Sequence, residues 1–263
     1  MKVKENDKLI PKWDTELYND NYTYVYNYGK SLVELLNPKK NERILDLGCG
    51  SGQLTFIINE ISKKTIGIDK SVEMIADAKL RYGKVKFQVC NAENFRFKNK
   101  FDSIFSNATL HWIKNYKSVI KCMYKNLKFN GKIVLEFGGK NNVKTIVDQL
   151  RSSLKKRGYL NQSKLELWYF PSAEEYSKEL ELVGFKVVLA ESFNRKTELT
   201  NQKDGIKDWI SMFAKSFFKD VDLTHIEEIK TEVQESIKEK YFTNGKWYAD
   251  YKRIRFIAIK NIY

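Results

Sequence analysis

Short apolar runs alternate with longer amphipathic stretches along most of the chain. Five of the apolar runs have the length of buried strands and lie at 43–47, 65–69, 85–89, 101–105 and 132–137. Apolar positions at helical spacing predict helices over about 53–62, 116–127, 143–157 and 172–183. Strands that alternate with helices of roughly 10–15 residues are typical of βαβ units, so we expect a parallel sheet.

The second half of the chain continues this alternation with one interruption. A sixth strand is predicted over 185–189 and a last one over 251–259, while 195–246 has a mainly helical pattern. That segment is too long for a connection, and we interpret it as a lid over the carboxyl ends of the strands. The expected fold is α/β: a Rossmann-like, seven-stranded, mostly parallel sheet with helices on both faces and the lid inserted between the last two strands. The expected N-terminal helical cap, core and lid occupy 1–40, 41–194 with 247–263, and 195–246.

Composition narrows the class of protein. The 263 residues are 42% hydrophobic, which is enough for one core and excludes a disordered chain. No apolar run reaches the roughly 18 residues of a membrane span, and the N-terminus has no apolar signal region. We therefore expect a cytoplasmic protein without a membrane partner.

Charge and cysteine content add two further expectations. The formal net charge is +14, from 47 Lys+Arg against 33 Asp+Glu, but the lysines are scattered rather than clustered. This favours background bias over a nucleic-acid-binding surface. Cys49, Cys90 and Cys122 form no CxxC pair, so neither a metal site nor a disulfide is predicted. A monomer or weak dimer is expected.

The candidate chemistry begins with the loop Asp46-Leu-Gly-Cys-Gly-Ser-Gly52, between a predicted strand and a helix. Glycines there allow a tight turn and a close approach of the backbone to a ligand. Because Gln53 stands where a dinucleotide fingerprint needs its third glycine, a nicotinamide cofactor is disfavoured. Asp46 would repel a pyrophosphate but can hold an ammonium group. Asp69, at the end of the second strand, can accept both hydroxyls of a ribose, so the three features together describe S-adenosylmethionine.

The same residues resemble a known family. The run 42–52 resembles the first motif of class I S-adenosylmethionine-dependent methyltransferases, and 66–69 with Ser71 and Met74 resembles the second. Residues 91–93 and 101–112 are similar to the next two motifs. The likeness is strongest to the trans-aconitate methyltransferase-like branch. It extends to the end of the chain through 136–139, 170–172, 184–185 and 250–255.

The resemblance implies a cofactor site. Around the methionine part it places Asp46, Gly48, Gly50, Gly52, Ser106 and Asn107, and Gln53 is a further candidate for cofactor binding. Around the ribose and adenine it places Asp69, Lys70, Met74, Asn91, Ala92 and Glu93. Many relatives have Asp where this chain has Asn91, and an amide oxygen can still accept a hydrogen bond there.

Methyl transfer needs alignment of the acceptor and exclusion of water, but no covalent nucleophile. His111 is the candidate base or hydrogen-bond donor, or it only caps the loop. Glu136 either orients the acceptor or is a structural carboxylate. The candidate acceptor contacts are Tyr18, Tyr22, Trp112, Trp209 and Arg253.

Three classes of function remain open at this stage. The favoured one is methyl transfer to a small-molecule acceptor, on a carboxylate or hydroxyl. An RNA or other macromolecule methyltransferase is the alternative, but the segment Ser106-Asn-Ala-Thr109 lacks the prolines of enzymes that methylate adenine amino groups. A non-catalytic homologue is the third, and intact Asp46, Asp69 and glycines argue against it.

Overall fold

The computed structural model describes residues 23–261, which form eight strands and nine α-helices. The strands are β1 Ile44–Leu47, β2 Thr65–Asp69, β3 Lys86–Val89, β4 Phe101–Asn107, β5 Leu127–Gly138, β6 Phe185–Glu198, β7 Phe242–Thr243 and β8 Lys246–Lys260. The helices are α1 Thr23–Leu36, α2 Gln53–Ser62, α3 Val72–Arg81, α4 Tyr116–Asn126, α5 Lys144–Lys156, α6 Leu160–Ser163, α7 Ala173–Val183, α8 Gly205–Phe213 and α9 Leu223–Tyr241.

Within this part of the chain the strands form one mixed sheet. Their order is β3-β2-β1-β4-β5-β8-β6, and β7 adds a short hairpin with β8. Strands β1 to β5 are parallel to one another, whereas β8 runs antiparallel to both β5 and β6. The predicted mostly parallel, Rossmann-like sheet is therefore confirmed.

Helix ends follow the local signals in the sequence. Ser71 caps α3 by accepting the Met74 N–H at 3.1 Å. Ser172 and Glu175 form a reciprocal capping box at the start of α7. Gly184 ends that helix with a φ of 106°, a left-handed conformation that glycine adopts without strain.

The late strands are longer than the sequence pattern predicts. β6 continues to Glu198 instead of ending near 189, and β8 begins at Lys246 instead of 251. Residues 195–198, which were expected to be helical, pair with Tyr248 to Tyr251 of β8. The prediction was wrong there because much of this edge strand is exposed and polar, so it shows no apolar alternation.

The apolar interior divides into two main clusters. One lies between the sheet and its flanking helices and includes Leu45, Ile104 and Phe256. The other joins α5, α8 and α9 to the start of β8, with Trp209 and Trp247 in its interior. The inserted helices therefore pack against α5 and β8, on the half of the sheet that follows β5. No helix within residues 23–261 is long and apolar enough to cross a membrane.

Candidate functional site

The loop after β1 is shaped by glycines in the left-handed region. Gly48 has a φ of 78°, and a Cβ there would lie 2.1 Å from the Thr109 side chain. Gly50 has a φ of 53°, and a Cβ there would meet no atom within 4 Å. Gly48 is thus required by packing, whereas the backbone at Gly50 borders open space that a ligand can occupy.

Asp69 ties this loop to the end of β2. Its Oδ2 accepts the Gly50 N–H at 3.0 Å, and its Oδ1 accepts the Ser71 N–H at 2.9 Å. Burial raises the pKa of Asp69, while these backbone N–H groups oppose the rise. The carboxylate that was expected to bind the ribose is therefore held at the edge of the loop, next to exposed Lys70.

Asp46 lies beneath the loop and is only 2% exposed. Thr55, in the first turn of α2, donates its hydroxyl to Asp46 Oδ2 at 2.6 Å. Burial raises the pKa of Asp46 to about 7; the Thr55 hydrogen bond opposes the rise and the charge of Asp69 adds to it. An ammonium group beside Asp46 would relieve this penalty, so the pair of acids and the open backbone at Gly50 fit the amino-acid end and ribose of S-adenosylmethionine.

The turn after β3 carries the residues expected along the adenine. The Cys90 N–H donates to the Asp69 carbonyl at 2.8 Å, which places this turn beside the end of β2. Asn91 Oδ1 accepts the Glu93 N–H at 2.9 Å, and Glu93 accepts from the Asn115 side chain at 3.1 Å. The Asn91 amide oxygen therefore shapes the turn. Ala92 is 9% exposed and belongs to the apolar cluster between the sheet and its helices. Met74 is 3% exposed, on the buried side of α3.

The end of β4 closes the other side of the loop. Ser106 is fully buried and donates to the Leu47 carbonyl at 2.7 Å, and Thr109 donates to the Gly48 carbonyl at 3.0 Å. Asn107 lies against α1, since a Cβ at Gly29 would approach its Nδ2 to 3.0 Å. Gln53 begins α2 and accepts the Ser51 hydroxyl at 2.8 Å. We call the loops after β1, β2, β3 and β4 the cofactor side.

His111 follows β4 in a short 3-10 helix and is 7% exposed. Its Nδ1 accepts the Gly138 N–H at 3.3 Å, which assigns the ring proton of the neutral imidazole to Nε2. Burial, and secondly the charge of Arg253, hold the pKa of His111 well below its usual value. At neutral pH the ring is therefore uncharged, and this geometry favours the hydrogen-bond donor over the general base.

An aromatic cluster extends from His111 toward β8 and the inserted helices. We call it the acceptor-side cluster; its members are Trp112, Trp168, Phe170, Trp209, Phe213 and Tyr251. The His111 ring centroid lies 5.5 Å from that of Trp112 and 5.7 Å from that of Phe170.

Arg253 enters the acceptor-side cluster from β8. Its guanidinium carbon lies 4.8 Å from the Tyr251 ring centroid, and the residue is 6% exposed. Tyr251 in turn accepts the Trp209 indole N–H at 2.7 Å. Trp209 is 2% exposed and supports the neighbouring rings. The fold thus brings Trp112, Trp209 and Arg253 together, whereas Tyr18 and Tyr22 lie outside the described residues.

Glu136 is 1% exposed and its carboxylate is held by two guanidinium groups. Arg195 bonds both of its oxygens, and Arg255 donates to Oε2 at 2.6 Å. The same arginines reach α1, because Arg195 lies 4.5 Å from the Tyr28 ring centroid and Arg255 donates to the Ser31 hydroxyl at 3.3 Å. The geometry favours a structural carboxylate over an acceptor-orienting one.

Several residues of the site escaped sequence reasoning. For Thr55, the one available signal was a hydroxyl residue in the first turn of a predicted helix. Arg195 was missed because 195–246 was predicted to be helical. Trp168 and Phe170 lie in a connection without regular secondary structure. No group of His, Cys, Asp and Glu among the described residues is arranged to hold a metal ion.

Comparisons with known proteins agree with this geometry. A family model described as a methyltransferase domain matches residues 38–181. An uncharacterized methyltransferase of Schizosaccharomyces pombe is 30% identical over 263 residues, covering 94% of this chain and 98% of that protein.

Two solved structures share the fold. A protein of Bacillus halodurans, provisionally assigned as a methyltransferase, superposes with a TM-score of 0.64 at 20% identity, covering 89% of this chain and 98% of that one. Phosphoethanolamine N-methyltransferase 2 of Haemonchus contortus, in complex with phosphomonomethylethanolamine and S-adenosylhomocysteine, gives 0.57 at 17% identity. That match covers 94% of this chain and 57% of the other.

Proposed function

The chain belongs to the S-adenosylmethionine-dependent methyltransferases, and from this premise we propose that its acceptor is a small anionic molecule that is methylated on oxygen. The observation that carries the proposal is the position of Arg253. A buried guanidinium beside a neutral imidazole, within a cluster of aromatic rings, offers charge and shape to a carboxylate.

The close packing of the acceptor-side cluster supports a small acceptor. Trp112 comes from the segment after β4, Trp168 from the connection before α7, and Phe213 from the inserted helices. Their rings pack with centroid separations of 5.7 Å for Trp112 to Trp168 and 6.5 Å for Trp112 to Phe213. Such packing suits a compact molecule better than a duplex. The likeness to the trans-aconitate methyltransferase-like branch supports a carboxylate in particular.

The chain's own residues would divide the work as follows. Asp46 and the Gly48–Gly52 loop hold the amino-acid end of the cofactor, and Asp69 holds the ribose. Arg253 binds one oxygen of the acceptor, and the Nε2 proton of His111 is available to orient a second polar group. When bound, S-adenosylmethionine would supply an electrophilic methyl group on a cationic sulfur, and Arg253 and His111 would hold the acceptor oxygen in line with it. A carboxylate acceptor is already ionised at pH 7, so no general base is needed.

The test is a screen of small carboxylic acids and phenols with methyl-labelled cofactor. We expect incorporation into at least one acid. For that acid, Arg253→Gln should raise KM by about tenfold or more, because a charged hydrogen-bonded pair is lost, while binding of S-adenosylhomocysteine stays within about twofold. Arg253→Lys is the charge-retaining control. Incorporation into bulk tRNA or rRNA, with none into any acid or phenol, would refute the small-acceptor proposal and support the macromolecule alternative.

A further inference from the structure

A cavity of about 590 Å³ lies at the amino edge of the sheet, where β1, β2, β4 and β5 begin. This edge is opposite the Gly48–Gly52 loop and His111, which follow the carboxyl ends of β1 and β4. We call the cavity the amino-edge cleft. The cleft is open to solvent rather than enclosed.

The lining of the amino-edge cleft is strongly basic. Its charged residues are Arg43, Lys64, Lys98, Lys100, Lys128 and Asp102, five cations against one carboxylate, so their net charge is +4. Two asparagines complete the lining, and no apolar side chain contributes to it. In the whole chain the balance is 47 Lys+Arg to 33 Asp+Glu. The excess of cations in the cleft is therefore much larger than the excess that the lysine-rich composition produces elsewhere.

These cations come from separate segments that the parallel sheet brings together. Arg43 precedes β1, Lys64 precedes β2, and Lys98 and Lys100 precede β4. Lys128 is the second residue of β5. Because parallel strands start at the same edge, connections far apart in sequence meet there. The cleft is therefore produced by the fold and not by one lysine-rich run of sequence. Like charges brought this close repel one another unless a counterion is present.

The single acid does not neutralise the cleft. Asp102 accepts from Lys128 Nζ at 2.7 Å and from the Arg43 backbone N–H at 2.8 Å, so both oxygens are used in joining β4 to its neighbours. The Arg43 guanidinium lies 4.8 Å from the Phe101 ring centroid, and its buried Nε makes no hydrogen bond with the described residues. Burial lowers the pKa of neighbouring Lys260, and the charge of Lys100 lowers it further, in line with a positive potential at this edge.

We propose that the amino-edge cleft binds a small, multiply charged anion of the phosphate type. A net charge of +4 calls for an anion with more than one charge, and lysine ammonium groups are compact point charges that suit phosphate oxygens. The polar groups of the lining are five cationic groups, one carboxylate and two amides, so the charge of an anion is what they can recognise. The cations surround a depression instead of following a track, which favours a small ligand over a nucleic-acid strand.

This inference is independent of the acceptor. The amino-edge cleft and the cofactor side lie at opposite ends of the strands, so the anion should bind without competing with S-adenosylhomocysteine. A variant that loses anion binding should therefore keep its affinity for S-adenosylhomocysteine, which also reports that it is folded.

The experiment is calorimetric titration of the full chain with inorganic tripolyphosphate. We compare the wild type with Lys64→Gln/Lys98→Gln, in which two exposed lysines of the cleft lose their charge. The matched control is Lys155→Gln/Lys215→Gln, which removes two exposed lysines away from this edge of the sheet. We expect one saturable site, an affinity about tenfold or more lower in the cleft variant, and a change below about twofold in the control, because only the cleft variant loses charge-assisted contacts with the anion.

Further titrations compare the binding of other anions at this cleft. Orthophosphate should bind more weakly than tripolyphosphate at the same site, since it carries fewer charges, and the affinity of both should fall as salt is raised. Equal losses in the cleft and control variants, or no saturable tripolyphosphate binding, would overturn the proposal. So would a single-stranded RNA oligonucleotide whose affinity increases with length while tripolyphosphate fails to compete.

Discussion

The cofactor side and the acceptor-side cluster are neighbours on one sheet edge, but they are built differently. The cofactor side is made of the carboxylates of Asp46 and Asp69 with polar groups such as the Gly50 backbone N–H. Most of its residues directly follow strands β1 to β3 in the sequence. The acceptor-side cluster is made of aromatic rings with Arg253 and His111, drawn from four separate parts of the chain. A ligand common to a family can be held by a contiguous motif, whereas the site for an individual acceptor is assembled by tertiary packing.

The largest effect is expected where β5, β6 and β8, which carry part of the acceptor-side cluster, are joined to α1. Glu136→Ala would leave the partly buried Arg195 and Arg255 without their shared buried carboxylate, and breaking a buried pair typically costs about 3–5 kcal/mol. Urea unfolding should show this loss. Glu191→Ala is the control, because Glu191 pairs with the same Arg255 but its side chain is 44% exposed, so its loss should cost about 1 kcal/mol or less. Similar unfolding free energies for the two variants would contradict the fastening role of Glu136.

The next effect is confined to the cofactor side. Asp69→Ala should remove two charge-assisted hydrogen bonds to the ribose, each worth roughly 1.5–3 kcal/mol, and lower S-adenosylhomocysteine affinity by tenfold or more. Calorimetry measures the affinity directly. Asp77→Ala, on the adjacent helix α3, removes an acid that pairs with Arg81 and should leave the affinity unchanged. Unchanged affinity in Asp69→Ala would remove that residue from the site.

A smaller effect is expected in the pH dependence of S-adenosylhomocysteine affinity, which should involve the cofactor side and not His111. Asp46 must be ionised to pair with an ammonium group, and its pKa in the free protein is about 7. S-adenosylhomocysteine affinity should therefore be highest above pH 7 and fall by up to about tenfold per unit as the pH drops below it. His111 adds nothing in this range because its lowered pKa keeps it neutral.

The Asp46→Asn variant gives the matching control. It should bind S-adenosylhomocysteine weakly and without this pH dependence. It should also be more stable than the wild type at pH 8 without ligand, because folding raises the pKa of Asp46, so the wild type loses stability as the pH rises from about 4 to about 7. A flat affinity profile in the wild type would show that Asp46 does not hold the ammonium group.

The same contrast explains how far the sequence could be interpreted. The strands β1 to β5, the caps Ser71 and Ser172, and the placing of Asp46 and Asp69 followed from periodicity and local motifs, which act within a few residues. The extension of β6 to Glu198 could not be predicted, because its pairing with β8 supplies the order that its polar sequence lacks. The partners of Glu136 and Tyr251 lie 59 and 42 residues away in the chain, at Arg195 and Trp209, so no spacing rule connects them.

The central claim is that the cofactor side and the acceptor-side cluster meet at the reacting sulfur. A crystal structure with S-adenosylhomocysteine bound tests it most directly. We expect the ribose hydroxyls within hydrogen-bonding distance of Asp69, about 2.6–3.2 Å, the amino group next to Asp46, and the sulfur facing a closed space bordered by His111 and Arg253. A sulfur that faces bulk solvent, or a space bordered by neither His111 nor Arg253, would contradict the account.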